Sequence, residues 1–311
     1  MHLGSGALGL GFVAYLGRRA GLNVVLANRR QGSGSFRRNE SLKLTRRYRI
    51  DVVGEIPSSE WVQVQELLYT DSDIEELLAR VSDPSTILLT TALKDGLART
   101  VPVISRLIEA RVQAAPQSPL FVIACENRLD STWLRTQITE HAGVDPSVDH
   151  TVHFLPCVAD RICSEVRYDE DSQYVFVMAE PYARWTIEKT HHTAPLEQAL
   201  RNLAEEGVVE FVGDIAPYRT RKLWLVNGPH LVLAILARKA GEPRLNVFLR
   251  SGLNALLFRR IQEGFSEAVR LRTAAFVTTD LEFFNVEILE RFRNYPDTAE
   301  RIMKRLSRTR L

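Results

Sequence analysis

The stretch that decides the fold lies at the beginning of the chain and reads His2-Leu3-Gly4-Ser5-Gly6-Ala7-Leu8-Gly9-Leu10-Gly11-Phe12. Gly4, Gly6 and Gly9 have the GxGxxG spacing that is found where a strand turns tightly into a helix. The first glycine permits the turn, the second lets the backbone approach a pyrophosphate, and the third lets the helix pack on the strand. The helix N-terminus then offers free N–H groups to phosphate. We therefore expect Gly4, Gly6, Ala7, Leu8 and Gly9 to bind a dinucleotide.

The residues around this motif agree with a strand–helix–strand unit. Apolar residues recur at helical spacing directly after the turn, namely Leu8, Phe12, Val13 and Leu16. Gly21 can end that helix, and the apolar run 22–27 predicts a buried second strand. Only residues 1–3 precede the first glycine, so the predicted first strand is shorter than the usual length of about five or six residues.

Strand-like and helical runs alternate through the first two thirds of the chain. Strands are predicted over 86–90, 120–125, 151–155 and 174–179, and helices over 74–81 and 98–114. Later predictions are mostly helical, over 196–206, 221–240, 247–272 and 281–293. This alternation indicates a parallel sheet with helices on both faces. We predict an α/β fold, in which an N-terminal Rossmann-type doubly wound sheet is followed by a mostly α-helical C-terminal domain.

A length of 311 residues suits two domains of about 150 residues each. The polar segment 189–195 ends in a proline, so we place the boundary there. This gives a dinucleotide-binding domain at 1–192 and a helical substrate domain at 193–311. The pair His191-His192 lies at the boundary, and we interpret it as linker because adjacent histidines point in different directions on any regular element.

The composition is that of an ordinary globular protein, with 45% hydrophobic and 25% charged residues. The three cysteines, Cys125, Cys157 and Cys163, include no CxxC pair, so neither a disulfide framework nor a metal site is expected. No run approaches the roughly 18 apolar residues of a membrane span, and no signal peptide is recognisable. We expect a cytoplasmic protein with no membrane partner.

The net charge of +2 conceals a strongly basic segment. Between Arg18 and Arg49, ten Arg and Lys residues stand against one acid, Glu40, which gives this segment a charge of +9. One interpretation is a solvated surface loop, and the other is an anion site beside the glycine motif. Nucleic-acid binding is disfavoured, because the segment offers only Phe36 and Tyr48 for stacking on bases.

The residues that follow the second strand bear on which dinucleotide is bound. An acidic residue at this point commonly binds the 2′-hydroxyl of NAD and repels the 2′-phosphate of NADP. This chain has Asn28, followed by Arg29 and Arg30. A carboxylate about 4 Å from a phosphate charge would cost about 4 kcal/mol at an effective dielectric constant near 20, and Asn28 removes that cost. We favour NADP(H) held by the arginines. The alternative is NAD(H), with Asn28 bound to a ribose hydroxyl and the arginines solvated.

A second informative stretch is Arg221-Lys222-Leu223-Trp224-Leu225-Val226-Asn227-Gly228-Pro229-His230. On an ideal α-helix Lys222, His230 and Asn227 fall at about 0°, 80° and 140°, within one half of the cylinder. A lysine partly removed from water can act as a general base, an amide can stabilise a developing alkoxide, and a histidine can hold a hydroxyl. The three residues suit chemistry at a secondary alcohol. The alternative is an amphipathic helix with incidental polar residues.

The chain resembles the family of mannitol-1-phosphate 5-dehydrogenase and mannitol 2-dehydrogenase, the polyol-specific long-chain dehydrogenases, over nearly its whole length. The matching pieces, in chain order, are His2-Leu3-Gly4-Ser5-Gly6 with Gly11-Phe12, Val52-Val53-Gly54-Glu55, Thr90-Thr91-Ala92, Ile123-Ala124-Cys125-Glu126-Asn127, Val158-Ala159-Asp160-Arg161-Ile162 and Lys222-x4-Asn227-x2-His230. The Ala-Cys-Glu-Asn run and the KxxxxNxxH motif are the specific pieces. Six ordered matches outweigh any one motif.

The resemblance implies a metal-independent oxidoreductase that transfers hydride between a nicotinamide cofactor and a hydroxylated small molecule. It implies that Lys222 is the general acid/base and that Asn127 and Asn227 form the oxyanion hole. His230 would orient the substrate, and Asp160 would lie near the substrate hydroxyls. On the cofactor side the implied residues are Thr91, Glu126 and Asn127. Glu180 matches an acidic position of the family loosely and receives no role.

The chain is expected to be a shortened and divergent member of this family. Asn28 replaces the usual aspartate, Pro229 should kink the motif helix, and family members continue beyond the point where this chain ends. Two alternatives remain open. One is a ketopantoate-reductase-like keto acid reductase, and the other is a non-catalytic dinucleotide sensor or assembly protein. The sequence leaves the oligomeric state open.

Overall fold

The structure is a computed structural model and describes residues 1–30, 35–127, 129–142 and 151–307. Its strands are β1 His2–Leu3, β2 Val25–Asn28, β3 Arg47–Val52, β4 Ser58–Gln63, β5 Glu66–Tyr69, β6 Leu88–Thr91, β7 Leu120–Ala124, β8 Val152–Phe154, β9 Cys157–Asp160, β10 Cys163–Tyr168, β11 Val175–Ala179, β12 Arg184–Glu188 and β13 Val209–Val212.

Its helices up to the middle of the chain are α1 Tyr15–Arg19, α2 Phe36–Thr45, α3 Ile74–Ser82, α4 Leu97–Ala114 and α5 Ser131–Ala142. The later helices are α6 Ala194–Ala199, α7 Arg201–Glu205, α8 Ala216–Arg221, α9 Gly228–Lys239, α10 Leu245–Phe248, α11 Gly252–Arg270, α12 Thr278–Asn294 and α13 Ala299–Ser307. Two π-helical segments, Gly9–Ala14 and Lys222–Asn227, lead directly into α1 and α9, and a 3-10 turn covers Lys94–Gly96.

The described residues form two compact units, and the first contains the Rossmann-type sheet. This unit comprises Met1–Asp51, Ser59–Ala179 and Ala183–Ile215. Its six-stranded sheet has the order β5-β2-β1-β6-β7-β8, with every neighbouring pair parallel. This is the strand order of a doubly wound dinucleotide-binding fold, in which ligands bind beyond the carboxyl ends of the strands where the order reverses. The predicted fold class is confirmed.

The sheet is built from continuous apolar runs because helices cover both of its faces. All five residues of β7 are buried, and β1 pairs on both sides although it is only two residues long. Helix α4 places buried residues at the spacing of one helical face, namely Leu97, Val101, Ile104 and Ile108. These side chains pack with those of β6 and β7 in one hydrophobic cluster.

The described part of the basic segment contains α2 and the beginning of β3, so most of its basic residues lie in regular structure. In β3 buried and partly exposed residues alternate, with Tyr48 and Ile50 buried between Arg47 and Arg49. Strand β3 belongs to a second sheet of order β10-β11-β3-β4, and a third sheet has the order β13-β12-β9. Sequence analysis predicted only β11 of these two sheets and also missed β5.

The second unit is mostly helical and comprises Val52–Ser58, Glu180–Tyr182 and Ala216–Leu311, of which the structure describes residues up to 307. The two short segments belong together: a Cβ at Gly54 would lie 2.9 Å from the Pro181 side chain. The predicted boundary between 192 and 193 differs from this division. Residues 193–215 belong to the first unit because β13 pairs in parallel with β12, for example Trp185 with Val209.

Among the helices that the structure describes, none combines the length and the apolar content needed to cross a membrane.

Candidate functional site

The glycine turn gives each of its three glycines a different surrounding. Gly4 has φ +117°, and a Cβ there would lie 2.8 Å from the carbonyl oxygen of Ala92. A Cβ at Gly9 would lie 2.5 Å from the oxygen of Gly4. At Gly6, by contrast, no described atom lies within 4 Å of the Cβ position. Gly4 and Gly9 are therefore needed for the turn and the helix contact, while Gly6 leaves room for a ligand to approach the backbone.

A buried histidine supports the turn from β1. The Nδ1 atom of His2 lies 2.8 Å from Oγ1 of Thr90, and its Nε2 would be 2.6 Å from a Cβ at Gly9. Burial lowers the pKa of His2 to about 3. The ring is therefore neutral near neutral pH and fills the space beneath the first turn of the helix.

Two residues assigned to the cofactor side bind each other. Thr91 donates to Oε2 of Glu126 at 2.8 Å, and the Leu93 backbone N–H donates to Oε1 at 2.6 Å. Burial raises the pKa of this carboxyl above its ordinary value. Glu126 thus joins the segments that follow β6 and β7, and so holds the backbone next to Asn127, which is exposed.

Asn28 at the end of β2 is held by the glycine turn. Its Nδ2 donates to Oγ of Ser5 at 2.5 Å and to Oδ1 of Asn39 at 3.2 Å, while its Oδ1 accepts the Arg29 N–H at 2.9 Å. Ser5 in turn donates to Oδ1 of Asn39 at 2.7 Å. This amide and hydroxyl network lies where a dinucleotide-binding fold receives the adenosine ribose.

The structure adds a cation that sequence analysis counted in the basic segment without placing it at the site. Arg38 on α2 donates to Oγ of Ser5 at 3.4 Å, and its Nε is buried without a hydrogen-bond partner among the described residues. Burial lowers the pKa of this guanidinium. Arg29 and Arg30 are exposed by comparison. Sequence analysis did not predict α2, and without this helix it had no means of placing Arg38 next to Ser5.

Asp160, expected near the substrate hydroxyls, is the buried last residue of β9 in the first unit. The neighbouring Arg161 is also buried, donates to the Gly11 carbonyl oxygen at 2.7 Å and lies 4.7 Å from the centre of the Tyr15 ring. Asp160 thus ends strand β9, and Arg161 joins the end of this strand to the π-helical segment that follows the glycine turn.

The residues of the lysine motif lie in the second unit on a π-helical turn. Lys222–Asn227 is π-helical, and the Gly228 N–H donates to the Leu223 carbonyl five residues earlier. Residues five apart are about 140° apart on an α-helix, whereas a π turn bonds them and brings them nearly onto one face. Lys222 and Asn227, both half-buried, are therefore closer in direction than ideal α-helical angles predict.

Pro229, expected to kink the motif helix, lies just after the π-helical turn. Asn227 and Gly228 both have helical backbone angles, so Pro229 lies inside one continuous helical run, at the point where the π-helical turn passes into α9. The wide turn before it takes up the change of register. Gly228 also permits close packing, because a Cβ there would lie 2.7 Å from the Phe265 ring.

His230 is buried and meets a carboxylate that sequence analysis missed. Its Nε2 lies 3.2 Å from Oδ2 of Asp297, and its ring stacks on Phe292 with centres 4.3 Å apart. Asp297 also pairs with Arg301. The only signal in the sequence was an acid directly after the helix stop Asn294-Tyr295-Pro296, which does not reveal its partner.

Glu180 forms a buried ion pair. Its two oxygens accept from Arg291 at 2.7 and 2.9 Å, and the guanidinium lies 3.8 Å from the centre of the Tyr182 ring. This ion pair joins segment 180–182 to α12, and so to the helical unit.

The histidine pair at the predicted boundary lies in a stack of rings. His192 stacks on His153 with centres 4.3 Å apart, and His191 lies 3.8 Å from His192. His153 and His192 thus contact each other through their ring faces, which is a packing contact.

The predicted residues fall into two groups. The first unit contains the cofactor-side residues and Asp160, and the second contains Lys222, Asn227 and His230. The first unit brings Asn28 to the glycine turn and Thr91 to Glu126. The second brings Lys222 and Asn227 onto one π turn.

A family model and the curated relatives point to one family. A family model described as the mannitol dehydrogenase Rossmann domain matches residues 1–198. The chain is 25% identical over 300 residues to mannitol-1-phosphate 5-dehydrogenase of Enterococcus faecalis, which covers 94% of this chain and 72% of that protein. It is 30% identical over 240 residues to the enzyme of the same name from Geobacillus thermodenitrificans, covering 76% of this chain and 58% of that protein.

A solved structure has a similar fold. It is the ternary complex of Pseudomonas fluorescens mannitol 2-dehydrogenase with NAD and D-mannitol, with a TM-score of 0.75 and 17% identity, and the match covers 97% of this chain and 70% of that chain. The chain thus spans 58–72% of the length of these three proteins.

Proposed function

The chain belongs to the mannitol dehydrogenase family, and we propose that it transfers hydride reversibly between NADP(H) or NAD(H) and a secondary alcohol or ketone of a polyol or sugar phosphate. The observation that carries the proposal is the family match over 1–198, which contains the glycine turn and the Thr91–Glu126 contact. The substrate class follows the names of the curated relatives, which are mannitol-1-phosphate 5-dehydrogenases.

The residues of the first unit fit a dinucleotide. Gly6 leaves open space where a pyrophosphate would approach, and a helix begins directly after it. Asn28 and Ser5 offer amide and hydroxyl groups to a ribose. The bound nicotinamide would supply the hydride acceptor for oxidation of the alcohol and the hydride donor for reduction of the ketone.

Lys222 is proposed as the general acid/base. In the oxidation direction its amine takes the hydroxyl proton of the substrate as the hydride leaves the same carbinol carbon, and in reduction it returns that proton. The amides of Asn127 and Asn227 donate hydrogen bonds to the oxygen as negative charge develops on it. His230 and Asp160 are assigned to the other substrate hydroxyls.

NADP(H) is the proposed preference. Asn28 carries no charge that would repel a 2′-phosphate, and Arg29 and Arg30 follow it. Arg38 strengthens the case, because its partly buried guanidinium lies beside Ser5 and the pKa of this group is lowered by burial. A phosphate within reach would compensate that loss of solvation with a charged hydrogen bond.

A substrate screen tests the proposal. Polyols, polyol phosphates and 2-hydroxy acids are offered with each cofactor, and turnover is followed by nicotinamide absorbance. The proposal predicts turnover of at least one polyol or polyol phosphate. Turnover of hydroxy acids alone would instead support the keto acid reductase. Cofactor binding without turnover of any compound would support a sensor.

A further inference from the structure

Asp297 has no role in the proposed function, yet it is buried and lies against His230 of the lysine motif. Its side chain is 3% exposed, that of His230 is 8% exposed, and Nε2 of the imidazole lies 3.2 Å from Oδ2 of the carboxylate. Phe292 covers one face of the imidazole, with ring centres 4.3 Å apart and planes inclined by 23°. The ring is therefore held by a stacking contact, and a carboxylate faces its Nε2 end at ion-pair distance, outside the alignment of a regular hydrogen bond.

The carboxylate is held in its charged form. Its Oδ1 accepts the Thr298 backbone N–H at 2.8 Å and Nε of Arg301 at 2.5 Å, and its Oδ2 accepts Nη2 of Arg301. Burial by itself pushes the pKa of Asp297 upward, but the hydrogen bonds from Arg301 and the close approach of the His230 ring outweigh burial and place the pKa well below its usual range.

An ionised carboxylate can only accept hydrogen bonds. A neutral imidazole that faces it through Nε2 therefore carries its proton on Nε2 and its lone pair on Nδ1. Carboxylates that bind a functional histidine in this way set both its tautomer and its orientation.

We propose that Asp297 is a positioning residue for His230, which fixes the Nε2–H tautomer and the ring orientation of this histidine for its contact with the substrate. The proposal rests on the proposed function in one respect, the substrate contact of His230. Arg301 serves the same arrangement by balancing the charge of the carboxylate. If Asp297 had a purely structural role, it would only pair with Arg301, four residues later. The tautomer of His230 would then not depend on Asp297.

The substitution Asp297→Asn separates the two roles. Oδ1 accepts from the Thr298 backbone and from Nε of Arg301, whereas Oδ2 accepts from Arg301 only through Nη2. The asparagine oxygen therefore takes the Oδ1 position, and the partly exposed Nη2 of Arg301 turns to water. The amide nitrogen then faces His230 and donates to Nε2, which forces the proton to Nδ1. The variant keeps the shape of the side chain and inverts the tautomer.

The test measures the ¹⁵N shifts of the His230 ring in the full chain at alkaline pH, with the signal assigned through His230→Asn. The wild type is expected to show a protonated Nε2 and an unprotonated Nδ1, and Asp297→Asn the reverse. The matched control is Glu290→Gln, which removes an exposed carboxylate paired with Arg293 in the same unit and should leave the tautomer unchanged. With a substrate from the screen, Asp297→Asn should lower kcat about tenfold or more while the KM for the cofactor stays unchanged.

An Nδ1–H tautomer in the wild type would overturn the proposal even if the variant failed to fold. The same conclusion would follow if folded Asp297→Asn kept the wild-type tautomer. The tautomer is read in the free protein, so it does not depend on activity. Absence of turnover in the wild type would contradict the proposed function alone.

Discussion

Arg38 differs from the adjacent Arg37 by being partly buried. Arg37 on the same helix is exposed and pairs with Glu170, whereas Arg38 turns inward to Ser5. A charge removed from water without a full set of partners is costly unless a ligand supplies the counter-charge. This contrast makes the two adjacent arginines a natural pair for comparison.

Arg38→Ala and Arg29→Ala are each expected to weaken NADPH binding by about 1.5–3 kcal/mol, the range for a hydrogen bond to a charged group. NADH binding should change little, because NADH lacks the 2′-phosphate. The dissociation constants can be measured by fluorescence titration with each cofactor. Arg37→Ala is the control and should leave both constants unchanged. Equal weakening of NADH and NADPH by Arg38→Ala would place Arg38 at the pyrophosphate and contradict the preference for NADP(H).

Lys222→Ala is expected to lower kcat about a hundredfold or more, the usual contribution of a positioned general acid or base. Cofactor affinity should be retained, because the glycine turn and Asn28 are unaltered. The control is Lys239→Ala, which removes an exposed lysine from the end of α9. Wild-type turnover in Lys222→Ala would remove the lysine from the proposed mechanism.

At the scale of elements, the strand–turn–helix unit depends on its glycines to different degrees. Gly9→Ala is expected to lower the free energy of unfolding by about 1–3 kcal/mol, because the new Cβ meets the Gly4 oxygen and the His2 ring. Gly6→Ala should leave stability within about 0.5 kcal/mol of the wild type and weaken cofactor binding, since its Cβ enters open space. Denaturant unfolding and cofactor titration measure both effects. An equally stable Gly9→Ala, or undiminished cofactor binding by Gly6→Ala, would contradict this division of roles.

The central strands could be predicted from the sequence because they are continuous apolar runs. The glycine motif and the alternation of strands and helices indicated the doubly wound parallel sheet, although not its strand order, and the family resemblance was confirmed. Strand β4 could not be predicted, because five of its six residues are exposed and only Val62 is buried. Helix α2 buries two polar residues, Asn39 and Ser41, and so lacks an apolar stripe.

The lysine motif was found, but its local geometry was not. Ideal α-helical angles place Lys222 and Asn227 about 140° apart. In the π turn each backbone N–H bonds the carbonyl five residues earlier, and this pattern has no clear sequence signature. Pro229 was the one sign that the α-helical pattern of hydrogen bonds changes there. Asp297 was missed because its contact with His230 is made by tertiary packing.

At the scale of the whole molecule, the predicted roles are divided between the two units. The family match over 1–198 covers mainly the first unit, which contains the cofactor-side residues. Assignments in the helical unit rest on the lysine motif and its π turn. The two sets of predictions are therefore tested separately, by cofactor binding for the first unit and by turnover for the second.

The stability of the first unit should depend on pH through His2. The folded pKa of His2 is about 3, against an ordinary value of 6.5, because the ring is buried. As pH falls below 6.5, His2 is protonated in the unfolded chain but stays neutral in the folded chain. The free energy of unfolding therefore falls by up to about 1.4 kcal/mol per pH unit, until pH 3. His2→Gln should flatten this slope in denaturant titrations at several pH values. His191→Gln, at an exposed histidine, should retain it, and an unchanged slope in His2→Gln would contradict the burial argument.

The central claim is direct hydride transfer from a polyol carbon, and deuterium labelling tests it most directly. Mannitol and mannitol 1-phosphate deuterated at their carbinol carbons are incubated with the protein and each oxidised cofactor, and the reduced cofactor is analysed by mass spectrometry. We predict that the reduced cofactor gains the deuterium from at least one of these substrates, and that Lys222→Ala suppresses the transfer. Reduced cofactor without deuterium, or no reduction by either polyol while the cofactor binds, would contradict the account.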